Sequence, residues 1–87
     1  MNFYPFHIGD YISHTSHLSD AEDLAYRRMI DLYYQTETPF DDTAKLARKV
    51  RASFEVVGSL LTEFFVYEDG AWHNKRADAE IAKYQAM

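Results

Sequence analysis

At 87 residues, with 47% apolar and 16% aromatic side chains, the chain has material for one hydrophobic core but not for two, and can build that core without staples. It has no cysteine, which excludes disulfides and thiolate metal sites and suits a reducing compartment. A net charge of −5 argues against a dedicated nonspecific DNA binder, and neither an exported leader nor an apolar run of ~18 residues is seen, so the expectation is a soluble, cytoplasmic protein with no membrane partner.

Phe3 to Ile8 is aromatic-rich with Pro5 inside it, the pattern of an edge strand, because proline cannot donate to a ladder. Gly9-Asp10 then punctuates the chain, and Asp10 is a candidate cap for a single turn over Tyr11 to Ser13. Ser19 to Gln35, SDAEDLAYRRMIDLYYQ, predicts the helix around which the rest packs. Ser19 and Glu22 form a capping box at its start. At ~100° per residue Ala21, Leu24, Ala25, Met29, Leu32 and Tyr33 share a face, which Tyr26 and Ile30 widen until several partners are needed to cover it. Asp23, Arg27 and Asp31 form an exposed stripe at i, i+4 spacing. Arg28 projects between Leu24 and Leu32, so either its stem covers apolar surface or its guanidinium meets a carboxylate from elsewhere, which makes it a candidate for a structural ion pair.

Thr38-Pro39 ends that helix. Asp41 and Asp42 are candidate caps for a short second helix, Thr43 to Val50, with Ala44, Leu46, Ala47 and Val50 inward and a diffuse end. Ser53 caps a third, running through Phe65, that buries Phe54, Val57, Leu61, Phe64 and Phe65, with Gly58 placed to admit a neighbouring helix closely. Val66 to Glu68, Asp69-Gly70 and Ala71 to His73 predict a β-hairpin, since Asp-Gly favours the tight turn. A last helix, Lys75 to Gln85, has Ala79, Ile81, Ala82 and Tyr84 on its apolar side. The order predicts a single α+β domain over residues 1–87, a small winged-helix-like fold with Phe3 to Ile8 adding a strand to the hairpin. A plain α+β bundle is the alternative.

Little here suggests catalysis. His14 and His17 make an H-x-x-H pair, but spacing of i, i+3 in a short turn delivers two ligands where a metal site needs three or four, so no metal and no cofactor is expected. Asp41-Asp42 and Glu68-Asp69 sit in turn signals, where aspartate caps helices and tightens hairpins. No phosphate loop, nucleophile elbow or Cys/His arrangement is present, and the expectation is a non-enzyme.

Charge distribution is more informative than net charge. Lys45, Arg48, Lys49 and Arg51 place four cations within seven residues of an acidic chain, and Lys75 and Arg76 after the hairpin extend the set to six. These six are the candidate nucleic-acid or partner-binding residues, although cations near a helix C-terminus are also what the macrodipole favours. The outward face of the third helix, by contrast, carries Glu55, Ser59, Thr62 and Glu63, with nothing to read bases. Tyr4, Phe6 and Tyr11 are candidates either for core packing or for a patch that meets a partner or a second copy of the chain, so a homo-oligomer stays open.

The run YPFHIGDYISHT, then HLS with ED and AYRRMIDLYY, then FFVYEDGAWHNKRADAEIAKY, resembles the YdaU-like family of prophage proteins, a domain of unknown function, over nearly the whole chain. The resemblance implies a phage or prophage origin, a bacterial host cell, a role near DNA replication and a winged-helix-type fold. It carries no catalytic or base-reading residues. Family members generally continue past the position of Ala86, so the resemblance implies either a piece of a longer protein or a small phage protein working through one surface. Two functions follow as expectations. One is a non-enzymatic module of the replication region that contacts DNA or the replication machinery through Lys45, Arg48, Lys49, Arg51, Lys75 and Arg76. The other is a protein-interaction module, including an inhibitor of a host protein, acting through the acidic or aromatic surface.

Overall fold

The computed structural model describes residues Met1–Met87. The elements are α1 (Ile8–Thr15), α2 (Asp20–Thr36), α3 (Thr43–Val50), α4 (Phe54–Phe64), β1 (Val66–Glu68), β2 (Ala71–His73) and α5 (Lys75–Gln85), an α+β arrangement. No helix is long and apolar enough to cross a membrane.

Helix α2 is the hub. Its capping box is complete: the Ser19 hydroxyl accepts from the Glu22 N–H, and the Glu22 carboxylate accepts from the Ser19 N–H at 2.9 Å. Ala25, Met29, Tyr33 and Tyr34 are buried along it, and α3, α4 and α5 all pack on it. The buried face is rotated from the predicted one. Ala21 and Leu24 are exposed, and Tyr34 is interior because the N-terminal segment covers it. Helix α3 supplies Leu46, Ala47 and Val50 to the same core, with Asp42 as its cap, while Ala44 is exposed. Its end is sharp: Arg51 turns left-handed at φ 59° and closes the helix. Helix α4, capped by Ser53, buries Val57, Leu60 and Leu61, with Phe65 just beyond. Leu60 replaces the predicted Phe54, which is exposed, and nothing lies within 4 Å of where a Gly58 side chain would begin, so no helix approaches there.

The hairpin forms in the predicted register, Val66 opposite His73 and Glu68 opposite Ala71, around Asp69 (φ 52°) and Gly70 (φ 78°). Positive φ at both central residues is what a type I′ turn requires, and Gly70 meets it at no steric cost. The strand expected at Phe3 to Ile8 is absent. The free edge of β2 is already taken by Phe40, which exchanges two backbone hydrogen bonds with Trp72 at 3.0 and 2.8 Å. Residues 1–7 run as irregular chain, and helix α1 starts at Ile8, so Gly9-Asp10 lies inside it and punctuates nothing.

What holds the N-terminal segment is α2's polar side. Tyr4 stacks on Tyr34 with ring centroids 3.9 Å apart and donates its hydroxyl to Asp31. Tyr11 donates to Asp23, and the Arg27 guanidinium sits 4.1 Å over the Phe6 ring. The predicted charged stripe is therefore a docking rail for aromatic residues, held by charge-assisted hydrogen bonds and a cation–π contact. Helix α5 closes the other side, capped by Asn74, with Ala77 and Ile81 inward; Ala79, Ala82 and Tyr84 are exposed, contrary to expectation.

Candidate nucleic-acid interface

Because Leu46, Ala47 and Val50 point inward, helical geometry turns Lys45, Arg48 and Lys49, at i, i+3 and i+4, together to the outside. Arg51, at the left-handed cap, continues that surface past the end of α3. A fifth cation joins from α2. The Arg28 Nη1 donates to the Val50 carbonyl at 3.0 Å, which lays the guanidinium across the C-terminus of α3. No carboxylate lies within ion-pair distance, 4.0 Å, of Arg28, so the structural ion pair expected for it is replaced by a bond to an orphan helix carbonyl. Arg28, Lys49 and Arg51 then border a cleft of about 420 Å³, whose other polar lining includes Asn2, Gln35 and Asp31. Asp31, its one acidic residue, is already engaged by Tyr4 and Arg27.

The remaining two predicted residues lie elsewhere. Lys75 and Arg76, in the first turn of α5, border a separate cleft lined by Phe6, Tyr11, Tyr26 and Phe64. Both are paired. Lys75 meets Glu68 at 2.8 Å, and its ammonium holds that carboxylate below the usual range. Arg76 meets Asp10 at 3.0 Å and Glu80 at 3.5 Å. The single island of six cations is therefore two groups: four on α3 and its cap, unpaired and joined by Arg28, and two on α5 that belong to ion-pair networks.

This contrast is the main electrostatic feature. Arg27, Lys75 and Arg76 have carboxylate partners, whereas Lys45, Arg48, Lys49, Arg51 and Arg28 have none. Unpaired, exposed Lys and Arg offer point charges and guanidinium forks for phosphate oxygens. The sequence held a clue to Arg28, since it was the one charge misplaced on an apolar face, but its partner is a backbone carbonyl that no side-chain pattern encodes.

The outward face of α4 presents Glu55, Ser59, Thr62 and Glu63, all exposed. Glu63 pairs with His17 at 2.6 Å, His7 lies 3.4 Å from Glu80 and His73 lies 3.6 Å from Asp78. These histidines meet carboxylates at separate places on the surface, and no three His or acidic residues converge as metal ligands would.

Comparison with known proteins adds a family. Residues 2–82 match the family model described as "Protein of unknown function (DUF1376)". The chain is also 33% identical over 78 residues to "Uncharacterized protein YdaU" of Escherichia coli (strain K12), a match covering 87% of this chain and 27% of that protein. It thus spans about a quarter of the length of that relative. No solved structure matches. With nearly its whole length matched, the chain belongs to this DUF1376, YdaU-like family.

Proposed function

We propose that this chain is a non-enzymatic, phage- or prophage-derived module of a DNA-replication region that contacts nucleic acid through Lys45, Arg48, Lys49, Arg51 and Arg28. The observation that carries the reading is the separation of charge: these five cations lack carboxylate partners on a molecule of net charge −5, while Lys75 and Arg76 at the start of α5 are neutralised in place. In this reading α2, α3, α4 and the hairpin form a winged helix, with Phe40 holding the short strand beside the wing. Helix α4 then has the position of the groove-entering helix. Its acidic outer face favours contact with phosphates by α3 over insertion of α4 between strands.

Titration of labelled single- and double-stranded DNA at two salt concentrations tests this. Phosphate contacts give an affinity that falls steeply with salt and is lost in an Arg48→Glu, Lys49→Glu, Arg51→Glu variant. Unchanged binding in that variant, or none at low salt, rules the reading out. A second reading, a module docking on a host or replication protein, is supported by the exposed Phe54, 61% accessible, at the head of α4 next to Glu55. A stoichiometric partner pulled down by wild type and lost with Phe54→Ser is its expected result, and tight DNA binding with no protein partner rules it out.

A further inference from the structure

The cleft that Lys75 and Arg76 border is distinct from the α3 surface, and its chemistry differs. It has a volume of about 280 Å³, just below the ~300–1,000 Å³ of drug-sized ligand clefts, enough for a single ring system and too small for a duplex. Its walls are aromatic: Phe6, Tyr11, Tyr26 and Phe64. Its polar lining includes His14, Asn74, Lys75 and Arg76 and contains no carboxylate, since the acids that pair with Lys75 and Arg76 lie outside it.

Tyr26 adds a second, independent observation. Of the seven tyrosines, Tyr4, Tyr11, Tyr33 and Tyr34 donate their hydroxyls to carboxylates, and Tyr67 and Tyr84 are exposed to water. Tyr26 is half-buried with its ring 4.4 Å from that of Phe64, and its hydroxyl has no partner in the protein. Burial of the ring pushes its phenol above the ordinary range and keeps it a donor near neutrality, and since no buried side-chain oxygen lacks a partner, this hydroxyl reaches solvent, where a ligand can take the place of water. Tyr4 lies in the lining of both this cleft and the one bordered by Arg28, Lys49 and Arg51, which makes the two adjacent along the surface.

We propose that this aromatic cleft takes one unpaired nucleobase of a single-stranded nucleic acid whose phosphates lie on Arg28, Lys49 and Arg51, with the Tyr26 hydroxyl donating to a base carbonyl. The proposal rests on the nucleic-acid reading above and makes it specific: the substrate is a single strand. Aromatic walls supply stacking that every base can use, the absence of a lining carboxylate admits the neighbouring phosphate, and the unpartnered hydroxyl supplies a polar contact.

The test compares a labelled oligo(dT) with an abasic oligomer of the same length, which keeps the phosphates and removes the bases. Wild type binds oligo(dT) at least about fivefold more tightly, the smallest gain that one stacked base brings. Tyr26→Phe, which keeps the ring, reduces oligo(dT) affinity several-fold and leaves the abasic oligomer unchanged. His14→Trp, at an exposed position that lines the cleft, fills it and abolishes the preference; thermal melting of both variants confirms that they fold. Equal, salt-dependent binding of both oligomers overturns the base site while leaving the α3 surface standing. Binding of neither overturns the α3 surface as well. In that event titration with thymidine monophosphate decides the cleft alone: binding lost in Tyr26→Phe sustains a base site without a strand, and no binding removes it.

Discussion

Tyrosine hydroxyls bonded to carboxylates recur at four places: Tyr4 with Asp31, Tyr11 with Asp23, Tyr33 with Asp78 at 2.5 Å and Tyr34 with Glu80 at 2.6 Å. Burial first, and then the bond to a carboxylate, raises all four phenols above their usual 10.0, with Tyr4 pushed up to about 12. The folded state therefore holds these protons more tightly than the unfolded chain. Stability from this source is fully present below pH ~10 and is lost as pH rises from there through the folded values. The denaturation midpoint should fall progressively from pH 10 to pH 12, and a Tyr4→Phe, Tyr34→Phe variant should show a shallower fall; parallel curves would exclude the tyrosines as the cause. Arg28 is a single-residue case of a different kind. Because its partner is the Val50 carbonyl and not a carboxylate, Arg28→Ala should cost about 1 kcal/mol, the scale of one partly exposed hydrogen bond, instead of the ~3–5 kcal/mol of a stranded buried charge. Urea denaturation measures the difference.

Among the elements, α3 is where stability and the proposed binding can be tested apart. Arg51 occupies the left-handed region that glycine adopts freely, so Arg51→Gly should raise stability by about 0.5–1 kcal/mol while weakening DNA binding. A variant both less stable and equally competent in binding would contradict the role given to this side chain. Several elements were legible because their causes are local. The Ser19–Glu22 box, the Asp42 and Ser53 caps and the Asp69-Gly70 turn each satisfy backbone groups within a few residues, and each formed where the sequence put it. What was hidden depended on partners far along the chain. Phe3 to Ile8 has strand composition, but the free edge of β2 is held by Phe40, and Tyr4 and Phe6 turn to Asp31 and Arg27 instead. Helix α5 was placed correctly and Ile81 is inward as read, but the rest of its face was not, because alternation of alanine with charged residues gives no reason to prefer Ala77 over Ala79 until α2 selects Ala77. The candidate site was half legible: the α3 cluster is contiguous in sequence, whereas its separation from Lys75 and Arg76 and its union with Arg28 exist only in the fold.

At the scale of the molecule, one corner, formed by α3 and the adjoining edge of α2, carries all but one of the cations that lack a carboxylate partner; the exception is Lys83 on α5. Acidic α4 and the neutralised start of α5 leave that corner as the favourable approach for a polyanion. An anionic protein with a local cationic surface binds nucleic acid weakly overall but orients it, since repulsion elsewhere discourages other poses. The count of phosphates engaged is directly measurable from the slope of log Kd against log salt, about 0.7 for each phosphate of a single strand. We expect the slope for oligo(dT) to fall by about 2 between wild type and an Arg48→Gln, Lys49→Gln, Arg51→Gln variant, which removes the three charges without reversing them, since each lost cation releases one contact. An identical slope in the two proteins would contradict the claim that this surface holds the phosphates.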